Sequence, residues 1–167
     1  LVGPSGKRIV LTAGVGEAAA NVYNGTTWDD SANPGGSAPT TPNEGLAADH
    51  TYVSGVVATP LVPIEALGAF LGDEPNGQWT LEVTDLEVND TGSIEGWSIS
   101  IATETNSSLP TFASGASSPP SAPITITDAN TSSATVTVSA GGGSATATLI
   151  RSVRVELTGF THVDMSD

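Results

Sequence analysis

Two stretches of alternating residues, 79–83 and 97–101, constrain the fold of this chain most strongly. In each, every second residue is apolar and the residues between are polar. A period of two that is rich in aromatic and β-branched residues predicts a half-buried strand. The turn-forming residues 89–92 between the stretches predict that the two strands form a hairpin. We predict that their inward-facing residues form the structural core, namely Trp79, Leu81, Val83, Trp97, Ile99 and Ile101.

The apolar face of such a hairpin needs a second sheet to cover it, which predicts a β-sandwich. Residues 123–167 can supply further strands, because Ile124 and Ile126 and then Val136 and Val138 alternate with polar residues. Residues 104–122 are rich in Ser, Pro and Ala and lack periodicity, which is typical of a linker. The sequence therefore predicts two β-rich parts, 1–103 and 123–167, joined by a linker at 104–122.

The sequence NGQWTLEVTD, followed after a polar loop by DTGSIEGWSISI, resembles the closing hairpin of the P-like (Homo B) domain. That domain accompanies proprotein convertases and many secreted bacterial subtilisin-like proteases. Residues 1–16, 23–32 and 124–167 resemble other parts of the same family. The resemblance implies an all-β, jelly-roll-like β-sandwich without catalytic residues of its own.

The order of these parts differs from the family pattern. Residues 1–103 resemble the C-terminal major part of the module, whereas 123–167 resemble its N-terminal strands. We interpret the chain as a module that is cut out of phase, either permuted or taken from a repeated array.

The charge of the chain excludes several classes of partner. The formal net charge is −14, with only four Lys and Arg residues in 167. Such a surface repels nucleic acid and anionic membranes. The chain has no cysteine and no apolar run long enough to span a membrane. The absence of cysteine does not fix the compartment. The family resemblance favours an extracellular or cell-surface location.

The sequence does not favour catalysis. A serine hydrolase needs a nucleophile, a base and an orienting acid, and the only histidines are His50 and His162. No serine lies in a G-x-S-x-G turn, and two isolated histidines without cysteine do not favour a zinc site. We therefore predict no catalytic residues and no enzyme activity.

Calcium is a candidate ligand, although we expect that no cofactor is required. Calcium binds clustered carboxylate and carbonyl oxygens on turns, and some members of the resembling family bind it. The alternative for each aspartate is a local hydrogen bond within its own turn, and Asp30 is the one that we most expect to be structural. The candidates are Asp30, Asp73, Asp85, Asp90, Asp164 and Asp167.

The position of residues 123–167 after the linker leaves two ways of closing the sandwich. The segment can fold back on its own chain, or it can complete a neighbouring copy in a head-to-tail array, and the sequence leads us to favour the array. In either case we predict an interface that contains Leu1, Val2, Val153, Val155 and Leu157.

The function that we favour at this point is a non-catalytic structural or assembly module, whose partners are copies of itself or adjacent repeats. One alternative is an accessory domain of a secreted subtilisin-like serine protease, in which case the partner is the protease domain. Another is a calcium-dependent carbohydrate-binding module. The second alternative needs exposed aromatic residues, yet Trp79 and Trp97 are predicted to lie in the core.

Overall fold

A computed structural model describes residues 1–16, 19–32, 44–86, 91–105, 123–127, 129–139 and 148–163. These ranges contain a 3₁₀-helix at Leu67–Phe70 and six β-strands. No helix within them is long and apolar enough to cross a membrane. The strands are β1 (Thr27–Trp28), β2 (Gly77–Thr84), β3 (Thr91–Thr105), β4 (Ile124–Ile126), β5 (Thr131–Val138) and β6 (Thr148–Val163).

The strands form two antiparallel sheets. The larger sheet has four strands in the order β1-β6-β3-β4, and the smaller one pairs β2 with β5. On the opposite edge of β2, Val2 exchanges two backbone hydrogen bonds with Thr80, at 2.8 and 2.9 Å. The first residues of the chain therefore extend the smaller sheet.

The inner faces of both sheets contribute to one hydrophobic core. Trp79 and Leu81 come from the smaller sheet, whereas Trp97, Ile99 and Ile101 come from the larger one, and all five are buried. Val83 is half-buried and packs against the same core. The all-β sandwich predicted from the sequence is confirmed.

The predicted hairpin between residues 79–83 and 97–101 is wrong. β2 and β3 lie in different sheets, β2 beside β5 and β3 between β6 and β4. Alternation identifies the buried face of a strand but not the strand that lies beside it. Because both strands are apolar on one face, placing them in opposite sheets buries both faces in the shared core.

β3 extends by two residues into the predicted linker at 104–122. β3 continues to Thr105, with an irregularity in its register to β6 between Ala102 and Thr103. The rest of the predicted linker, 106–122, lies outside the described residues.

A tight hairpin at the start of the chain places Val2 against β2. Leu1 and Ile9 exchange backbone hydrogen bonds of 2.8 and 2.9 Å, and Gly3 donates to the carbonyl of Lys7 at 2.9 Å. A β-carbon on residue 3 would lie 2.9 Å from a ring carbon of Phe70, so glycine permits this close approach to the core.

Candidate functional site: the closing segment

Residues 123–163, which we call the closing segment, contain β4, β5 and β6. Every strand ladder in the described part of the chain joins this segment to residues 1–105, namely β1–β6, β2–β5, β3–β4 and β3–β6. The sheets therefore depend on pairing between two parts of the chain that are far apart in sequence.

The longest ladder runs between β3 and β6. It places the predicted interface residues directly opposite predicted core residues: Leu157 pairs with Trp97, Val155 with Ile99 and Val153 with Ile101. All six side chains are buried. Cross-strand pairs of this kind stabilise a sheet through side-chain packing as well as backbone hydrogen bonds. This face of the closing segment is therefore part of the core.

β5 supplies the corresponding partner for β2. The ladder has eight residue pairs, from Gly77 opposite Val138 to Thr84 opposite Thr131. Within it, Trp79 lies opposite Val136, and both side chains are buried. The closing segment thus completes both sheets of the sandwich.

The other edge of β6 pairs with residues that precede and include β1. Leu157 donates to the carbonyl of Thr26 at 2.8 Å and accepts from the N–H of Gly25 at 2.9 Å. Further along, the N–H of Gly159 donates to the Oδ1 atom of Asn24 at 2.9 Å. β6 is therefore hydrogen-bonded to the main part of the chain along both edges.

Gly159 is a position in the closing segment where the backbone requires glycine. Its φ of 63° lies in the left-handed region, and a β-carbon there would collide with the side chain of Glu95. An isolated glycine in an alternating strand is the sequence signal for such a close approach.

An ion pair joins the closing segment to the turn after β1. The Nη2 and Nε atoms of Arg154 lie 2.6 and 2.9 Å from the Oδ2 atom of Asp29, and Ser31 donates two hydrogen bonds to Oδ1. Partial burial by itself would raise the pKa of Asp29, but the hydrogen bonds from Ser31 and Arg154 outweigh it and lower the pKa. A lowered pKa stabilises the folded state at neutral pH, and this contribution is lost as the pH falls through the folded-state pKa of Asp29.

A second connection lies at the start of β6. Ile150 accepts a hydrogen bond from the N–H of Gly72 and donates one to the carbonyl of Asp73, each at 3.0 Å. The ammonium group of Lys7 lies 2.8 Å from the Oδ2 atom of Asp73 and donates to the carbonyl of Ala69 at 2.6 Å. The N-terminal hairpin, the loop after the 3₁₀-helix and β6 therefore meet at this point.

Three of the candidate calcium ligands, Asp30, Asp73 and Asp85, lie in the described part of the chain. The carboxylate of Asp73 lies beside Lys7, whereas Asp85 is a buried residue whose N–H donates to the carbonyl of Asn130 at 2.9 Å. In the described ranges, no three His, Cys, Asp or Glu side chains are placed to hold a metal ion. The candidates Asp90, Asp164 and Asp167 lie outside those ranges.

Asp30 has a different arrangement. Its carboxylate accepts hydrogen bonds from the N–H groups of Leu67 and Gly68, at 2.8 and 2.6 Å. These two residues begin the 3₁₀-helix, whose first N–H groups have no partner within the helix. Asp30 thus holds this helix from a turn that is 37 residues away in sequence.

We expect Asp30→Ala to lower the free energy of unfolding by about 1 kcal/mol, as for the loss of a helix cap. Asp30→Asn keeps one acceptor oxygen and is expected to lose less. Urea denaturation of both variants and the parent protein measures the difference. Equal stability of Asp30→Ala and the parent protein would contradict this capping role.

The tryptophans do not form a binding platform for sugars. The chain has three, and Trp28, Trp79 and Trp97 are exposed by only 3%, 0% and 1%. Stacking on a sugar requires an accessible aromatic face, so these side chains serve the core instead.

Part of this sandwich matches a known protein family. Residues 46–101 match the family model of the proprotein convertase P-domain. No curated protein and no solved structure matches the chain. The matched range contains the 3₁₀-helix, β2 and most of β3, but none of the closing segment. The resemblance to the non-catalytic P-like domain is therefore confirmed over residues 46–101.

Proposed function

We propose that this chain is a non-catalytic, extracellular structural module of the P-like class, in which the closing segment joins subunits or repeats by strand exchange. The observation that carries the proposal is the distribution of strand pairing. All four ladders of the described chain connect residues 1–105 to residues 123–163. In this single chain the closing segment pairs with residues 1–105 of the same chain, and we propose that the same pairing forms between copies.

The predicted linker is what makes exchange between copies chemically reasonable. A closing segment contributes the same side chains and hydrogen bonds whether it belongs to the same chain or to the next one. Residues 106–122 would span about 50 Å if they were extended at about 3 Å per residue, which is enough to reach a neighbouring sandwich. Donation of the segment from one copy to the next gives a head-to-tail array.

We expect concentrated protein to contain species heavier than the monomer of 16.7 kDa. An excess of isolated peptide 123–167 should compete with donated segments and convert the arrays into smaller species. Sedimentation velocity before and after addition of the peptide measures both effects. A single species of 16.7 kDa at every concentration would contradict exchange between copies and would leave closure within one chain.

The match at residues 46–101 favours a second candidate, an accessory domain of a secreted subtilisin-like protease. Here the closing segment folds back on its own chain, and the module supports an attached catalytic domain. The sequence that adjoins this chain in its parent protein distinguishes the candidates. A subtilisin-like catalytic domain would favour the accessory role, and repeated copies of the same module would favour the array.

A further inference from the structure

The edges of the two sheets differ in how well they are protected. In the larger sheet, the edge strands β1 and β4 have only two and three residues. In the smaller sheet, the N-terminal hairpin pairs with one edge of β2 at Val2 and Thr80. β5 forms the opposite edge of this sheet, and it has eight residues and pairs only with β2 in the part of the chain that the structure describes.

The register of β5 shows which of its backbone groups point away from β2. The N–H of Asp85 donates to the carbonyl of Asn130, so this pair is hydrogen-bonded, and the pattern alternates along the ladder. Ala134 and Val136 therefore bond to β2, whereas Ser133, Thr135 and Thr137 direct their N–H and C=O groups outward. Within the described ranges, no backbone hydrogen bond reaches these outward groups.

β5 also lacks the features that normally prevent strand addition. Its sequence, TSSATVTV, contains no charged residue and no proline, although the whole chain has 18 Asp and Glu residues. Exposed edge strands in natural proteins are commonly shortened or interrupted by charges, prolines or bulges. A long, neutral edge in so acidic a chain is a surface that can accept another strand.

We propose that β5 pairs antiparallel with β5 of a second copy, about a two-fold axis at Ala134. This register places the outward backbone groups of Ser133 opposite those of the partner subunit's Thr135. The buried face continues, because Ala134 meets the partner's Ala134, and the Thr- and Ser-rich outer face continues as well. The two smaller sheets become one sheet of four strands, in the order β2-β5-β5-β2. β5 is apolar on its inner face and carries Ser and Thr on its outer face. Antiparallel pairing of two β5 strands places inner face beside inner face and outer face beside outer face, so a second copy fits this edge.

The net negative charge of the two copies opposes their association through long-range repulsion. Each copy carries a formal charge of −14, so two copies repel each other, and salt screens that repulsion. β5 itself contributes no charge to the interface. Association should therefore strengthen as the salt concentration rises, which is the opposite of an interface held by ion pairs.

Sedimentation equilibrium of the full chain tests the pairing. We expect a monomer–dimer equilibrium that shifts toward dimer between low and physiological salt. Thr135→Pro removes an outward N–H that β2 does not use, and it should weaken the dimer about tenfold or more. Thr135→Ala changes the side chain but keeps the N–H, and it should dimerise like the parent protein. Equal dimerisation of both variants, or a parent protein without dimers, would overturn the proposal.

Cysteine cross-linking tests the register independently, since the chain has no cysteine of its own. Residues 134 of the two copies form a non-hydrogen-bonded pair, with Cα atoms about 4.5 Å apart, which a disulfide can bridge. Ala134→Cys should therefore form a disulfide-linked dimer. Thr131→Cys places the two thiols about 20 Å apart and should not. Failure of Ala134→Cys to cross-link, or equal cross-linking of both variants, would contradict the proposed axis.

These experiments also separate edge pairing from exchange of the closing segment, on which the proposed function rests. Thr135→Pro keeps every backbone hydrogen bond between β5 and β2 and therefore leaves strand exchange intact. Heavier species that survive this substitution but disappear with excess peptide 123–167 would support exchange and refute edge pairing. Heavier species that are lost with Thr135→Pro but survive excess peptide 123–167 would support edge pairing and refute exchange.

Discussion

Replacing Trp97 with alanine is expected to lower the free energy of unfolding by about 3–5 kcal/mol. The side chain is 1% exposed, and its strand runs between β6 and β4 in the larger sheet. Opposite it on β6 lies Leu157, which is also buried. Truncation therefore leaves a cavity at the contact between the main part of the chain and the closing segment.

Trp97→Phe provides the matched control. The Nε1 atom of Trp97 is buried and has no hydrogen-bond partner in the described part of the chain, whereas that of Trp79 donates to the carbonyl of Pro75 at 3.0 Å. Phenylalanine keeps much of the packing and removes an N–H that makes no bond, so its cost should be clearly smaller than that of alanine. Urea denaturation followed by circular dichroism measures both variants. A loss within about 0.5 kcal/mol for Trp97→Ala, typical of a surface position, would contradict the burial of this face.

The sequence was informative about which side of each strand faces the core. The alternation around Trp79 and Trp97 depends only on the geometry of a single strand, in which successive side chains point to opposite faces. Burial of these two residues agrees with that pattern.

The identity of the neighbouring strands could not be read from the same pattern. Alternation in β2 is equally compatible with β3 or β5 as its neighbour, because both present one apolar face. The choice depends on how two sheets pack face to face, which is a property of the whole sandwich. The hairpin between β2 and β3 was therefore predicted wrongly, although their buried faces were assigned from the pattern.

Contacts between residues that are far apart in the chain also could not be predicted from the sequence. Asp30 binds the N–H groups of Leu67 and Gly68, and Asp29 pairs with Arg154, 125 residues away. Adjacent aspartates in a turn suggest local hydrogen bonds or a metal site equally well. Only the folded arrangement shows that each carboxylate has its own distant partner.

The second large effect is expected on removal of the closing segment. A fragment of residues 1–105 keeps β1, β2 and β3, but none of these strands pairs with another. β3 loses both of its neighbours, and side chains such as Trp97 and Ile99 lose their cover. Isolated strands with exposed apolar faces do not form a stable domain. We therefore expect the fragment to show no cooperative thermal transition by circular dichroism.

Rescue of this fragment by a separate peptide 123–167 can be controlled with two substitutions in β6. Val155 is fully buried opposite Ile99, so a peptide with Val155→Asp should not rescue folding. Ser152 is exposed on the same strand, so a peptide with Ser152→Asp should rescue as the unmodified peptide does. Comparison of these two peptides separates specific docking on β3 from a general effect of an added acidic peptide.

Thermal unfolding of fragment 1–105, alone and after addition of peptide 123–167, tests most directly whether the closing segment completes the sandwich. The predicted result is no cooperative transition for the fragment alone, and a cooperative transition, whose midpoint rises with peptide concentration, for the mixture. A fragment that melts cooperatively by itself at the temperature of the full chain would contradict strand completion.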